Sequence, residues 1–183
     1  MSILATRRSI RKYLNKDVSN ELIEKIILEA MEAPSSRNLQ PWKYLVVRDK
    51  EKQKEIVKLD NNQEWMLEAP IFIVCLGDAS TRFDDITNVM FDDDAPDWPF
   101  KQIIRDMGIG ITYLSLAIEQ NGLGSCWTGW YDQKQMKQLL DVPNHLFVAG
   151  ILSVGYPAET PPKRPRKQLR DVIMYETIIN GGK

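Results

Sequence analysis

The sequence predicts an α+β fold, with helices packed around a sheet, from two kinds of apolar patterning. Between Ser19 and Glu32 the residues Leu22, Ile23, Ile26, Ile27, Ala30 and Met31 recur at the spacing of one helical face. Between Ala69 and Asp78 the apolar residues run on without alternation, as in a strand covered on both faces. Such a strand needs an apolar layer on each side, and amphipathic helices supply one.

Taken in order, the helix at 19–32 has Ser19 or Asn20 available as N-cap and stops before Pro34. Ser35 to Pro41 is polar and proline-flanked and reads as a loop, leading into a strand at Trp42–Arg48. The strand at 69–78 ends at Gly77-Asp78. Ala79 to Phe100 is irregular, acidic and aromatic, a long connection with room for a short helix, and connections of this length are usually functional or mobile. From Asp106 to Asn121 the pattern is helical and mostly apolar, closing at Gly122 where a left-handed C-cap belongs. A helix this apolar is buried on more than one face, and Gly108 and Gly110 suit close packing of helices between subunits. A short helix at Asp132–Leu140 and an apolar strand at Leu146–Tyr156 follow. Pro161 to Arg170 is basic and proline-broken, hence extended, and Asp171–Ile179 has the pattern of a terminal strand.

The chain has 183 residues, 43% of them hydrophobic, enough for one domain over residues 1–183 that buries roughly 70% of its unfolded surface. Its 24 basic and 25 acidic residues leave a net charge of -1, which argues against coating nucleic acid or an anionic membrane. The N-terminus lacks a signal-peptide core and no apolar run reaches membrane-spanning length, so a soluble cytoplasmic protein is expected. Cys75 and Cys126 match neither disulfide nor zinc spacing; one buried thiol and one loop thiol are expected. The single histidine, His145, sits in a turn-like stretch with no evident catalytic partner.

Chemistry concentrates in Arg7, Arg8, Ser9 and Arg11. Their charges repel one another unless solvent or an anion compensates, and guanidinium forks with a hydroxyl suit a phosphate monoester. Composition alone fits either a bound anion or a solvated surface, and the same holds for Lys163 to Arg170. Gly108-Ile-Gly110 lacks the third glycine and the preceding strand of a dinucleotide fingerprint, and no Gly-Lys-Ser or Gly-Lys-Thr occurs. The run Asp92, Asp93, Asp94 and Asp97 lacks EF-hand spacing and reads as a solvated loop, so no metal site is expected.

Four segments, in this order, resemble the motifs of the FMN-dependent nitroreductase family: Thr6-Arg-Arg-Ser-Ile-Arg-Lys-Tyr13, Ala33-Pro-Ser-Ser-Arg-Asn-Leu-Gln-Pro-Trp42, Gly122-Leu-Gly-Ser-Cys-Trp-Thr-Gly129 and Arg164-Pro-Arg-Lys167. The resemblance spans nearly the whole chain. It implies helices around a mixed, mainly antiparallel sheet, an intertwined homodimer with the helix Ile111–Ile118 at its interface, and FMN bound between the subunits.

By the same resemblance, Arg7, Arg8 and Ser9 grip the phosphate, and Arg11 lies by the flavin's pyrimidine edge, where a cation stabilises the charge of reduction. Pro34, Ser35, Ser36 and Asn38 match a loop given to the partner's site. Trp127, Thr128 and Gly129 match the stretch whose backbone follows the ring, with a main-chain N–H near the hydride-accepting nitrogen. Arg164, Arg166 and Lys167 match basic residues that return to the phosphate. Gly129 and Trp130 stand where several family members carry an acidic residue and glycine; the bulky Trp130 is placed to narrow or cover the pocket, and the departure leaves open which N–H of this stretch faces the flavin. Phe91, Trp98 and Phe100 are candidates for stacking on an aromatic acceptor, packing being the other role open to them.

The activity implied is ping-pong transfer of hydride from NADH or NADPH to nitroaromatics, quinones or related acceptors. No side chain need be catalytic, because the flavin carries the chemistry, with Arg11 and the Gly129 backbone assisting. Alternatives on the same scaffold are flavin cleavage, reductive dehalogenation, and FMN binding as a sensor or store without turnover.

Overall fold

The computed structural model describes residues 2–87, 89 and 98–175. Among them are five α-helices, α1 (Ile3–Thr6), α2 (Asn20–Ala30), α3 (Lys50–Leu59), α4 (Trp98–Gln120) and α5 (Gln133–Leu139), and four strands, β1 (Trp42–Val47), β2 (Ile71–Asp78), β3 (Gly124–Thr128) and β4 (Leu146–Gly155). The strands form one sheet in the order β1-β2-β4-β3. All three pairings are antiparallel; the parallel element is an isolated bridge between Ser9 and Ser125, which sets the N-terminal segment beside β3.

Side-chain alternation along β2 divides the interior in two. Ile71, Ile73 and Cys75 face a layer built by α2 and α4, whereas Phe72, Val74 and Leu76 face the layer that holds α3 and α5. Every residue of β2 is buried, as its unbroken apolar run requires. On β4 the alternation changes phase: Phe147 and Leu152 both face the α4 side, because the register slips opposite Cys75–Leu76 and one extra residue is inserted there. Gly150 lies at this bulge, with the Trp127 indole against its backbone where any Cβ would collide.

Helix α2 starts where the sequence places it, with the Ser19 hydroxyl accepting from Leu22 N–H at 3.3 Å. Helix α5 is capped in the same way by Asp132, which accepts from Gln135 N–H. Helix α4 begins about two turns before the expected Asp106. Pro99 lies in its first turn, where a missing N–H is harmless, so Trp98–Arg105 is helix and not connection. Gly122, at φ 76°, follows its end as expected.

Three further expectations are corrected. Gly110 serves a contact within the chain, its α-carbon facing Trp42 at a distance that leaves an added Cβ 3.1 Å from the ring; Gly108 meets nothing in its own chain, which leaves its face open to a partner. Both thiols are buried, Cys126 on β3 and not in a loop. Leu169–Asp171 forms a 3-10 turn where a strand was expected to start, and residues 176–179 of that strand lie outside the described residues.

Candidate functional site

The basic residues near the two ends of the chain meet. Arg7, Arg8, Ser9, Arg11, Arg164 and Arg166, with Pro161 and Pro162, line one cavity of about 350 Å³. Among the described residues, no acidic side chain lines it. The ends are clasped together upstream of the cavity: Leu14 N–H donates to the Tyr156 carbonyl, Ala158 N–H to the Lys12 carbonyl, and Tyr13 bridges Pro157. Glu159 locks the clasp with one carboxylate oxygen, which accepts Arg11 N–H at 2.7 Å and Lys12 N–H at 3.2 Å. Beneath it, buried Tyr13 donates its hydroxyl to the Ile10 carbonyl at 2.6 Å and lies 2.9 Å from Ser153 Oγ, and burial holds this phenol above its ordinary range.

The members of the cluster do different work. Arg8 turns its Nη1 onto the carbonyls of Ala5, Thr6 and Arg7, where a cation at a helix C-terminus is favourable, and its buried Nε has no protein partner. Arg11 lays its guanidinium 5.3 Å from the centre of the Trp65 ring. Arg166 donates to the carbonyls of Arg164 and Pro165, bending that segment back on itself. Lys167 is exposed and is not among the residues that line the cavity. Burial pushes the Cys126 thiol up, against the opposing pull of Arg11, a hydrogen bond with Ser9, and Arg7, so the cluster borders β3 directly.

Thr128, Gly129 and Trp130 continue from β3. Gln63 Nε2 donates to Thr128 Oγ1 at 2.6 Å, and Trp130 N–H donates to Asp60 Oδ1 at 2.9 Å. Trp130 is 71% exposed, so its ring stands over the surface and not in the core. Trp127 points to the other side of the sheet, half exposed, and with Phe100, Ile104, Met107 and Phe147 it borders an apolar cavity of about 240 Å³.

The loop Pro34–Asn38 is not brought to the arginine cavity within one chain. Ser36 N–H donates to Asp106 Oδ1 at 3.0 Å, and Asp106 pairs with Arg82 at 3.2 Å, both side chains almost fully buried. Ser35 Oγ accepts from Gln40 N–H, and Arg37, Asn38 and Gln40 all have positive φ, so the loop is tightly wound. Ser36 and Trp98 border a separate polar cavity of about 440 Å³. Of the proposed stacking residues, Trp98 is exposed with Arg105 against its ring, whereas Phe100 is 2% exposed and packs edge-on against Phe147 at 4.8 Å, which gives it a packing role. Phe91 and the acidic run Asp92–Asp97 lie outside the described residues.

Asp60, Gln63, Trp65, Arg82, Asp106 and Glu159 were not singled out in the sequence. Each is an isolated polar residue or ring whose partner lies far along the chain, so no local spacing marks it.

Residues 4–156 match the model of the nitroreductase family. The chain belongs to that family. A relative in Archaeoglobus fulgidus, provisionally named an NADH dehydrogenase/NAD(P)H nitroreductase, is 34% identical over 163 residues, spanning 87% of this chain and 86% of its own. The FMN reductase (NAD(P)H) of Bacillus subtilis is 30% identical over 193 residues, spanning 97% of this chain and 73% of its own. The structure of NfrA2 from B. megaterium aligns with a TM-score of 0.86 at 29% identity, over 97% of this family member and 74% of that chain. No described helix of the chain is long and apolar enough to cross a membrane.

Proposed function

We propose that this nitroreductase-family chain is an FMN-dependent oxidoreductase, one domain over residues 1–183, that takes hydride from NADH or NADPH and passes it to nitroaromatic, quinone or related acceptors in ping-pong fashion. The observation that carries the reading is the arginine cavity. Five arginines and a serine line one concavity that no carboxylate of the described residues lines, and Arg8 Nε is buried without a partner among them. That donor set fits a dianionic phosphate monoester, the group that terminates FMN. Relatives named as FMN reductase and NAD(P)H nitroreductase supply the cofactor and the reductant.

Bound FMN supplies the hydride and electron chemistry. Arg7, Ser9, Arg164 and Arg166 hold the phosphate, with Arg8 bracing the end of α1 and Lys167 adding positive charge from outside. Arg11, steadied by Trp65, places a cation where reduction adds negative charge. The Gly129 amide donates towards the ring, since the next amide is committed to Asp60. The Thr128 hydroxyl is held by Gln63, and Trp127 and Trp130 frame opposite faces of the segment.

The site is completed by a second copy. Pro34, Ser35, Ser36 and Asn38 serve the partner's flavin, which accounts for their distance from the arginine cavity in their own chain. The outer face of α4 leaves Ile104, Ile109 and Tyr113 partly exposed, and residues 160–175 run mostly exposed, so both remain for the partner to cover. Trp98 and Trp130, both more than half exposed, are the rings offered to an aromatic acceptor. A nicotinamide-fed reaction belongs with that pool, in the cytoplasm.

Titration of the protein with FMN, followed by flavin fluorescence, tests the reading. Wild type is expected to bind FMN and to bind riboflavin much more weakly, and inorganic phosphate is expected to compete. Equal affinity for FMN and riboflavin would refute the phosphate grip.

A further inference from the structure

Asp60 is fully buried at the end of α3 and carries a cost that the rest of the fold does not explain. One carboxylate oxygen accepts the Trp130 N–H at 2.9 Å; the other is buried and has no hydrogen-bond partner. A carboxylate satisfied on one side only is expensive in a protein interior, and such groups call for a functional account. Among the described residues, the only hydrogen bond Asp60 makes through its side chain lands on the residue that follows Gly129. Three residues on, Gln63 bonds the side chain of the residue that precedes Gly129, at 2.6 Å. Between them Asn61 and Asn62 lie at φ 55° and 53°, a left-handed pair in which asparagine is well tolerated and which turns the chain between Asp60 and Gln63.

Gly129 itself is free of both usual reasons for a glycine. Its φ is not in the left-handed region, and an added Cβ would meet nothing within 4 Å. Its backbone is open to an approaching ligand while its two neighbours are anchored from behind.

We infer that Asp60 is a positioning residue for the flavin reaction: by holding the Trp130 amide from inside the protein it fixes the peptide that follows Gly129, while Gln63 holds Thr128 before it, so that between the two anchors the Gly129 N–H is pre-aimed at the flavin ring. The inference rests on the proposed role of Gly129 and adds how that amide is set before FMN arrives. A donor pre-aimed at the site of developing charge costs no reorganisation when hydride moves.

Asp60→Ala, Asp60→Asn and Gln63→Ala test it with two readouts. The first is amide hydrogen exchange across 128–131 in FMN-free protein. Wild-type Trp130 N–H is expected to be protected, Asp60→Ala to exchange about tenfold faster or more, and Asp60→Asn, which keeps an acceptor oxygen, to stay close to wild type. The second is the stopped-flow rate of reduction of bound FMN by NADH or NADPH. Asp60→Ala is expected to slow it about tenfold while FMN affinity changes less than about threefold, with Asp60→Asn restoring most of the rate and Gln63→Ala losing about threefold. An unprotected Trp130 amide in wild type overturns the inference. So does an Asp60→Ala protein that exchanges faster yet is reduced at the wild-type rate, since Asp60 is then structural only. An Asp60→Asn protein as slow as Asp60→Ala also overturns it, because charge and not the hydrogen bond then matters. If Asp60→Ala does not fold, a loss of about threefold in Gln63→Ala beside a near-wild-type Asp60→Asn supports the inference, and a wild-type rate in Gln63→Ala overturns it. Failure of the wild-type protein to bind FMN would sink the proposed function instead, and is seen separately from the exchange result.

Discussion

Asp106→Ala puts the anchoring of the Pro34–Asn38 loop to a quantitative test. Asp106 accepts the Ser36 amide at 3.0 Å and pairs with Arg82 at 3.2 Å, with side-chain exposures of 6% for Asp106 and 11% for Arg82. Arg82 has no other carboxylate partner among the described residues, and its Nε is already buried without one. Removing Asp106 therefore strands a guanidinium inside the protein, a change that costs about 3–5 kcal/mol. For a chain of this length each kcal/mol lowers Tm by about 2–4 °C, so a drop of about 6–20 °C is expected. Urea unfolding at fixed protein and FMN concentration gives the free energy, because ligand and partner both shift apparent stability. The pair itself is worth far less than the cost of breaking it. Asp106→Leu combined with Arg82→Met is expected to recover most of the loss in stability while still freeing the Ser36 amide. If Asp106→Ala loses less than about 1 kcal/mol, or the double variant is no better than the single, Asp106 does not offset a buried Arg82 charge.

Other substitutions probe the remaining parts. Gly150→Ala drives a methyl group into the Trp127 indole and is expected to destabilise by about 1–3 kcal/mol and to shift tryptophan fluorescence; an unchanged spectrum with full stability would contradict the close approach. Burial pushes both thiols up, so they stay protonated and shielded: a thiol reagent at pH 8 is expected to react slowly with native protein and with two thiols per chain in denaturant, and rapid native labelling at Cys126 would be the contrary result. Arg7→Ala with Arg11→Ala is expected to weaken FMN binding by about tenfold or more, while Trp98→Ala changes acceptor preference and leaves FMN in place; equal effects on affinity would argue against this division of roles. Ile109→Glu with Tyr113→Glu is expected to convert a dimer to a monomer that no longer holds FMN, read by light scattering and flavin absorbance, and an intact dimer would move the interface off α4.

Sequence patterning reached the parts of the fold whose burial is one-sided or complete. The 3.6-residue spacing of α2 and the unbroken apolar run of β2 each have one physical reading, and both stand in the structure. Helix α3 was not read from the sequence because it is mostly charged and buries only Gln53, Ile56 and Val57. The first turns of α4 were hidden by Pro99 and two aromatic residues that resemble loop, although proline in a first turn is compatible with a helix. Strand β3, Gly-Ser-Cys-Trp-Thr, has too little β-branched character to declare itself; its pairing with β4 makes it a strand.

The candidate site divides in the same way. A cluster of arginines at positions 7, 8 and 11 is visible as composition, but composition does not tell an anion site from a solvated surface. What distinguishes them is the meeting with Arg164 and Arg166, and that meeting depends on the clasp of 12–14 with 156–159 and on Glu159, contacts made across nearly the full chain length. The buttress of Asp60 and Gln63 behind Gly129 is likewise invisible locally. Both depend on contacts that exist only after folding.

The most direct test of the account is an anaerobic titration of the FMN-loaded protein with NADH and with NADPH, followed in the visible spectrum. Bleaching of the flavin band by one equivalent of at least one nicotinamide, and recovery of the band on adding a quinone or nitroaromatic, is the result expected. Bound FMN that neither nicotinamide reduces would contradict the central claim and leave a flavin-binding protein without this turnover.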